Sequence, residues 1–291
     1  MILLDGNALR DTLLDELATE VASLPDAPRL TVLQVGEDPA SGVYIRNKMR
    51  ACERTGVIGG HLHLPADVTQ AELEARMAAL SAGAPDGVIL QLPLPAHLDE
   101  NAVMALLDPD KDVDGFHPVN LGRLVAGLPG LLPCTPAGVR ELLRRNDIPT
   151  RGKHVVVIGR SVIVGKPAAL LFLQKHALGD ATVTVCHSAS ADLAEHCRRA
   201  DILVAAVGRP LLVKGDWIKP GAVVVDVGMN RIEDASAKRG YRFVGDCDFD
   251  ALRERASAMT PVPGGVGPLT VAMLLRNTVT AFRRRHSLAE A

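Results

Sequence analysis

Apolar residues recur along this chain in two alternating rhythms. From Ala8 to Leu24 they return at helical spacing, with Leu13, Leu14, Leu17 and Val21 on one face, which predicts a helix. Arg29–Gly36 (RLTVLQVG) is a short β-rich run closed by glycine, and Ala40–Thr55 predicts a second helix stopped by Gly56. Leu62–Leu64 predicts a short strand. Thr69–Ala82 predicts a helix whose first turn carries a capping box, Thr69 with Glu72 three residues on. Gly87–Leu94 (GVILQLPL) is an apolar strand broken by Pro93. Strands alternating with helices predict a parallel sheet.

Between Asn101 and Gly138 the texture changes. Pro109, Pro118, Pro129, Pro133 and Pro136 punctuate it, with glycines between, and this density of breakers marks a connection between domains. A helix over Pro136–Asn146 leads into a second block where the alternation is clearer. His154–Gly159 (HVVVIG) is a strand, followed by a glycine-bearing turn and a helix over Lys166–Lys175. Ala181–His187, Asp201–Gly208 and Ala222–Gly228 are further strands, with a helix over Ala191–Arg199. Their near-continuous apolar runs suit strands covered on both faces. The order βαβαβ followed by another strand is a mononucleotide-binding pattern, and a helix over Gly267–Arg285 closes the chain. The fold class is therefore α/β in two domains.

Composition narrows the function classes. A length of 291 residues suits about two domains, and 47% hydrophobic with 23% charged residues is a globular balance. A formal charge of −2 provides no general pull toward nucleic acid or anionic membrane, and 3% aromatics make a base-stacking platform a poor expectation. The five scattered cysteines show no metal-binding spacing, so no metal is expected, and they read as reduced thiols of a cytoplasmic protein. The first twenty residues carry acids early, without a basic segment leading into an apolar stretch, and no run is apolar enough to span a membrane. The Arg283–His286 cluster reads as a solvated helix end.

Three places carry candidate chemistry. The turn Gly159-Arg160-Ser161-Val162-Ile163-Val164-Gly165-Lys166-Pro167 joins a strand to a helix, with Pro167 in the first helical turn. A helix N-terminus there suits phosphate, although the turn lacks the GxGxxG spacing and would equally serve as an ordinary connection. The next strand ends Cys186-His187-Ser188 with no carboxylate before Asp192, and Arg160 lies in the adjacent turn. A cation and hydroxyl without an acid favour the extra phosphate of NADP over NAD. In the first block, Tyr44 and Lys48 share a helix face, Gln91 interrupts an apolar strand, and Asp112 and Asp114 lie in a glycine-bearing loop. A lysine beside a tyrosine and an amide is a candidate acid/base if apolar walls desolvate it; the bland alternative is a surface pair, a satisfied glutamine and a solvated turn. His117, Cys134 and Cys186 lack a nucleophile–base partner at a recognisable spacing and read as structural. The third place is Thr260–Pro268, whose three prolines and three glycines make a stiff loop suited to a hinge or to binding.

Taken together, GEDPASGVYIRNKMRACERTGV, GVILQLPLP, PDKDVDGFHPVNLGRL, PCTPAGV, GRSVIVGKP, TVTVCHS, ADILVAAVGRP, VVVDVGMNR and TPVPGGVGPLTVAMLLRNT resemble one family, in its order and across both blocks. It is the bifunctional methylenetetrahydrofolate dehydrogenase/methenyltetrahydrofolate cyclohydrolase family. The resemblance implies a catalytic, folate-binding domain over residues 1–135 plus 266–291, and a Rossmann-like NADP-binding domain over 136–265. The last helix would return to the first domain, with folate held against nicotinamide in a cleft. It implies oxidation of 5,10-methylenetetrahydrofolate with NADP, then hydrolysis to 10-formyltetrahydrofolate, by a cytoplasmic homodimer serving one-carbon metabolism and purine biosynthesis. Lys48 matches the catalytic lysine, Tyr44 the residue that orients the pterin, Gln91 the amide that tunes the lysine, and Asp114 the anchor of the amino-pyrimidine edge. Pro263, Gly264 and Gly265 match a loop lining the folate site. Gly159, Arg160, Ser161, Ser188 and Met229 match cofactor contacts. Ala189-Ser190 departs from the Lys-Thr or Arg-Thr often found there, Met229 replaces an isoleucine of similar volume, and Gln174–Asp180 looks like a longer surface loop. The rival enzyme reading is an NADP-dependent dehydrogenase resembling shikimate dehydrogenase, and the non-enzyme reading is a nucleotide-binding module without turnover.

Overall fold

The computed structural model describes residues 1–237 and 239–289. The chain opens with β1 (Ile2–Leu3) and α1 (Gly6–Ala22), then runs through β2 (Arg29–Val35), α2 (Pro39–Thr55), β3 (Ile58–Leu64), α3 (Gln70–Ala82) and β4 (Gly87–Gln91). Two short helices, α4 (Glu100–Met104) and α5 (Pro118–Ala126), occupy the breaker-rich stretch, and α6 (Cys134–Arg145) follows it. The remainder comprises β5 (His154–Ile158), α7 (Gly165–Leu173), β6 (Thr182–Cys186), α8 (Leu193–Arg199), β7 (Ile202–Ala205), β8 (Val223–Asp226), β9 (Asn230–Glu233), β10 (Tyr241–Val244), α9 (Phe249–Leu252), β11 (Ala258–Met259) and α10 (Gly267–Arg285).

These elements group into two units. The first joins Met1–Arg10 to Thr135–Thr270; the second joins Asp11–Cys134 to the segment from Val271 onward. Residues 1–10 group with the first unit because β1 extends its sheet by pairing in parallel with β11, Ile2 opposite Ala258 and Leu3 opposite Met259. The unit boundaries at 134/135 and 270/271 fall inside α6 and α10.

In the second unit a parallel sheet of order β3-β2-β4 packs against α3 and α4. Leu33, Val35, Leu73, Met77, Val88 and Val103 form its core. The helices start and stop where side chains satisfy their free backbone ends. Asp38 caps α2 by accepting from Ser41 N at 2.7 Å, and Gly56 ends it at φ 78°. The expected capping box of α3 forms, Thr69 and Glu72 each accepting from the other's backbone. β3 is longer than the pattern predicts, because pairing along the whole of β2 holds Gly59, Gly60 and His61 extended. The end of α10 is ion-paired rather than solvated: Arg283 reaches Glu20 at 2.8 Å and Arg285 reaches Asp86 at 3.0 Å.

In the first unit six parallel strands take the order β1-β11-β8-β7-β5-β6. β7 and β8 are buried along their whole length, as their unbroken apolar runs require. β9 and β10 form a separate antiparallel pair that the sequence pattern did not reveal. Its alternation is carried by only four residues a strand.

Candidate active site

Each unit contributes a cluster of functional side chains. In the second unit, α2 and β4 bring Lys48 and Gln91 together: Lys48 Nζ donates to Gln91 Oε1 at 3.1 Å. Gln91 Nε2 donates in turn to Leu92 O at 2.9 Å, so the amide is oriented with its oxygen toward the amine. Gln91 is the last residue of β4 rather than an interior one, and it is only partly buried. Tyr44 sits one turn before Lys48 on α2 and is 53% exposed, its ring free to meet a ligand.

Asp114 lies on the loop after the short turn Pro109–Lys111. Burial pushes its carboxyl above the usual carboxylate range, the positive charge of Lys48 pulls it back, and Asp112 adds to the rise. That coupling places Asp114 within electrostatic reach of Lys48. Asp112 has a different task. It is 1% exposed and accepts from Gly115 N at 3.2 Å, His117 N at 2.7 Å and Asn120 Nδ2 at 3.0 Å, so it holds the loop rather than facing solvent.

His117 and Cys134 are structural, as their lack of partners in sequence suggested. His117 Nδ1 accepts from Val119 N at 3.1 Å and caps α5. Cys134 donates from Sγ to Val113 O at 3.2 Å, and burial pushes its thiol well above the ordinary value, which keeps it protonated. Cys186 is likewise buried and raised.

In the first unit the turn after β5 has the form of a nucleotide cradle. Gly159 has φ 125°, and a Cβ there would collide with the carbonyl of Ala206; one on Gly165 would collide with the carbonyl of Gly159. Ser161 Oγ accepts from Val164 N at 3.1 Å and from Gly165 N at 3.4 Å, which fastens the turn to the start of α7. Arg160, Val162 and Ile163 stand exposed on it. After β6, Ala189 N donates to His187 Nδ1 at 3.2 Å and His187 N donates to Ser190 Oγ at 3.0 Å, so Ser188 sits at the tip of a tight turn. Asp192, the first carboxylate after β6, begins α8. Met229 follows β8 and is 46% exposed. A backbone with no room for Cβ atoms, a helix N-terminus and an exposed arginine fit a dinucleotide carrying an extra phosphate. Pro263, Gly264 and Gly265 belong to this unit, where Asn7 N donates to Gly264 O at 3.2 Å and Gly6 leaves no room for a Cβ against Gly265.

Sequence reasoning missed two buried carboxylates here. Asp246 is fully buried and accepts from Val207 N (2.6 Å), Gly208 N (3.1 Å), Arg209 N (2.9 Å) and Asn230 Nδ2 (2.9 Å). Asp226 accepts from Gly228, Asp246 and Cys247 N–H groups. Together they tie the loops after β7 and β8 to the segment before α9. An acid ending the apolar run AVVVD was the available signal.

Residues 4–114 match a family profile described as the tetrahydrofolate dehydrogenase/cyclohydrolase catalytic domain, and residues 133–286 match the NAD(P)-binding domain of the same family. The chain belongs to the tetrahydrofolate dehydrogenase/cyclohydrolase family. It is 54% identical to the bifunctional protein FolD of Prosthecochloris aestuarii, covering 99% of this chain and all of that one, and 53% identical to that of Desulfovibrio desulfuricans over 98% and 99%. Among solved structures, the FolD dehydrogenase/cyclohydrolase of Campylobacter jejuni superposes with a TM-score of 0.91 at 43% identity, covering 98% of this chain and 99% of that one. The Trypanosoma brucei enzyme, complexed with NADP and an inhibitor, gives 0.90 at 43%, covering 98% of each chain. A shikimate dehydrogenase from Thermus thermophilus reaches only 0.51 at 18% identity over 91% of this chain and 95% of that one, a likeness of fold alone. The family therefore decides against the shikimate-type reading.

Proposed function

We propose that this enzyme oxidises 5,10-methylenetetrahydrofolate to the methenyl compound with NADP and then hydrolyses it to 10-formyltetrahydrofolate. Family membership supports the reaction pair, and the Lys48–Gln91 hydrogen bond is the observation that carries the chemistry. The substrate's reacting carbon lies between two nitrogens whose lone pairs stabilise the cation left as hydride departs. NADP, when bound, supplies the hydride acceptor. Gly159, Arg160, Ser161, Ser188 and Met229 would hold it, with Arg160 and Ser188 serving the extra phosphate.

The protein's part in oxidation is to hold the folate still. In this reading Tyr44 lies against the pterin and Asp114 accepts hydrogen bonds from its amino-pyrimidine edge; Pro263, Gly264 and Gly265 are assigned to folate by the family resemblance alone. In hydrolysis, water adds to the methenyl carbon. Lys48 Nζ takes one proton of the water and returns it to the departing ring nitrogen, and the remaining hydroxyl proton leaves to solvent as the formyl C=O forms, while Gln91 Oε1 fixes the amine's direction. A homodimer in the cytoplasm, contributing one-carbon units to purine synthesis, fits the family resemblance, and the five buried, unpaired cysteines suit a reducing compartment.

A spectrophotometric assay of methylenetetrahydrofolate with NADP and NAD in parallel tests the reaction and the cofactor together. Decay of the methenyl absorbance reports the second step. Lys48→Met should abolish hydrolysis while leaving part of the dehydrogenase activity. Near-normal rates for both steps in that variant would remove Lys48 from the mechanism.

A further inference from the structure

The side chain of Asp114 has no hydrogen-bond partner among the described residues; burial and the charges of Lys48 and Asp112 act on it. Its aim is therefore set by the backbone that carries it. That backbone is gripped from both flanks. On one, Asp112 accepts from Gly115 N, His117 N and Asn120 Nδ2. On the other stands Asn277 of α10, 164 residues beyond Val113 in sequence. Its amide spends both hydrogens on carbonyls: Nδ2 donates to Val113 O at 2.8 Å and to Leu132 O at 2.8 Å.

The same grip is reinforced on every side. Cys134 donates from N to Asp114 O at 3.3 Å and from Sγ to Val113 O at 3.2 Å. Gly115, at φ 79°, closes directly on Leu132 and Pro133. Val113 is pinched by β4, since a Cβ on Gly87 would come within 2.5 Å of its side chain and 3.2 Å of Thr278 Oγ1. Asn277 is 9% exposed, so water does not replace its two donors. A leucine, with the same branching and number of side-chain heavy atoms, would leave two carbonyls without a donor, and an aspartate would turn lone pairs toward both.

We infer that Asn277 is a positioning residue of the folate site: its amide sets the loop that aims Asp114, and so governs folate affinity without touching folate. The inference rests on the reading of Asp114 as the pterin anchor. A residue that acts through another gives a non-additive double-mutant cycle, whereas a merely structural one adds its cost in every background.

The test measures the dissociation constant of tetrahydrofolate, which carries no one-carbon unit and does not react, by calorimetry on the full-length enzyme. Four proteins are compared: the parent, Asp114→Asn, Asn277→Leu and the double variant. Asn277→Leu should weaken tetrahydrofolate about tenfold in the parent, the equivalent of one buried hydrogen bond. It should weaken it less than about twofold once Asp114→Asn is present. NADPH binding, read from nicotinamide fluorescence, should stay within about twofold throughout and shows that each variant is folded. If Asn277→Leu loses NADPH binding, Asn277→Ser, which keeps one hydroxyl donor, replaces it in the same cycle. An equal loss in both backgrounds, or none in the parent, overturns the positioning role alone. Unchanged affinity in Asp114→Asn by itself overturns the reading of Asp114 as the anchor, and the inference with it.

Discussion

Acidification within the neutral range should stabilise the nucleotide unit through one carboxyl group. Asp226 ends β8 and is 2% exposed. Burial raises its pKa from 3.8 to about 6; N–H bonds from Asp246, Cys247 and Gly228 oppose the rise, and the charge of Asp246 adds to it. A raised acid binds its proton more tightly in the native than in the unfolded chain. Its stabilisation is therefore complete below the unfolded value and is lost as pH climbs through about 6. A gap of roughly two units corresponds to about 3 kcal/mol in full. Between pH 7.5 and pH 5, about 1.4 kcal/mol of that is regained. Asp226→Asn removes the titration and leaves a constant offset, because its amide presents N–H groups to the Cys247 N–H.

The assay is urea unfolding followed by Trp217, the single tryptophan, which packs on the core of the same unit. Subtracting the variant from the parent at each pH cancels other titrating groups of that unit. Asp201, held low by the His154 N–H and Lys219, is one of them. The parent-minus-variant difference should rise by about 1.4 kcal/mol on going from pH 7.5 to pH 5. A difference flat to within about 0.3 kcal/mol, or one that falls, would refute the claim that burial dominates this carboxyl.

Gly115→Ala should raise the KM for methylenetetrahydrofolate and cost more than about 2 kcal/mol, because a side chain at φ 79° meets the Leu132–Pro133 backbone; kinetics and chemical denaturation check it. Arg160→Gln should raise the KM for NADP about tenfold or more and that for NAD far less, measured in parallel at fixed ionic strength; equal effects on both would remove Arg160 from phosphate recognition. Thr69→Ala breaks the capping box of α3 and should lower stability by about 1 kcal/mol while leaving both activities unchanged.

Much of this enzyme is legible in its sequence. The alternation of strands and helices shows because buried parallel strands must be apolar and half-buried helices must be periodic. Thr69 with Glu72, and Gly56 after Thr55, announce their helix ends because the motifs close within one turn. Lys48 and Tyr44 can be paired because four residues return a helix to the same face. Short pieces escape this reasoning. β1 has two exposed residues and owes its place to backbone pairing with β11. β9 and β10 are too brief for a rhythm to emerge. Asp112 and Asp114 look alike in KDVDG, yet one carboxylate turns inward to Asn120 and the other makes no side-chain hydrogen bond among the described residues.

Local periodicity and the ordered motifs by themselves determined the α/β class, the two-block order, the family, and the identity of the candidate lysine and its amide. Those features depend on neighbours a few residues apart, or on residue types that stay recognisable wherever they fold. Only the tertiary structure decided which acid holds the loop, that Asp226 and Asp246 tie three segments together, and that Asn277 grips Val113 from 164 residues away. Each of these depends on burial and hydrogen bonding between distant segments, and neither exists until the chain has folded.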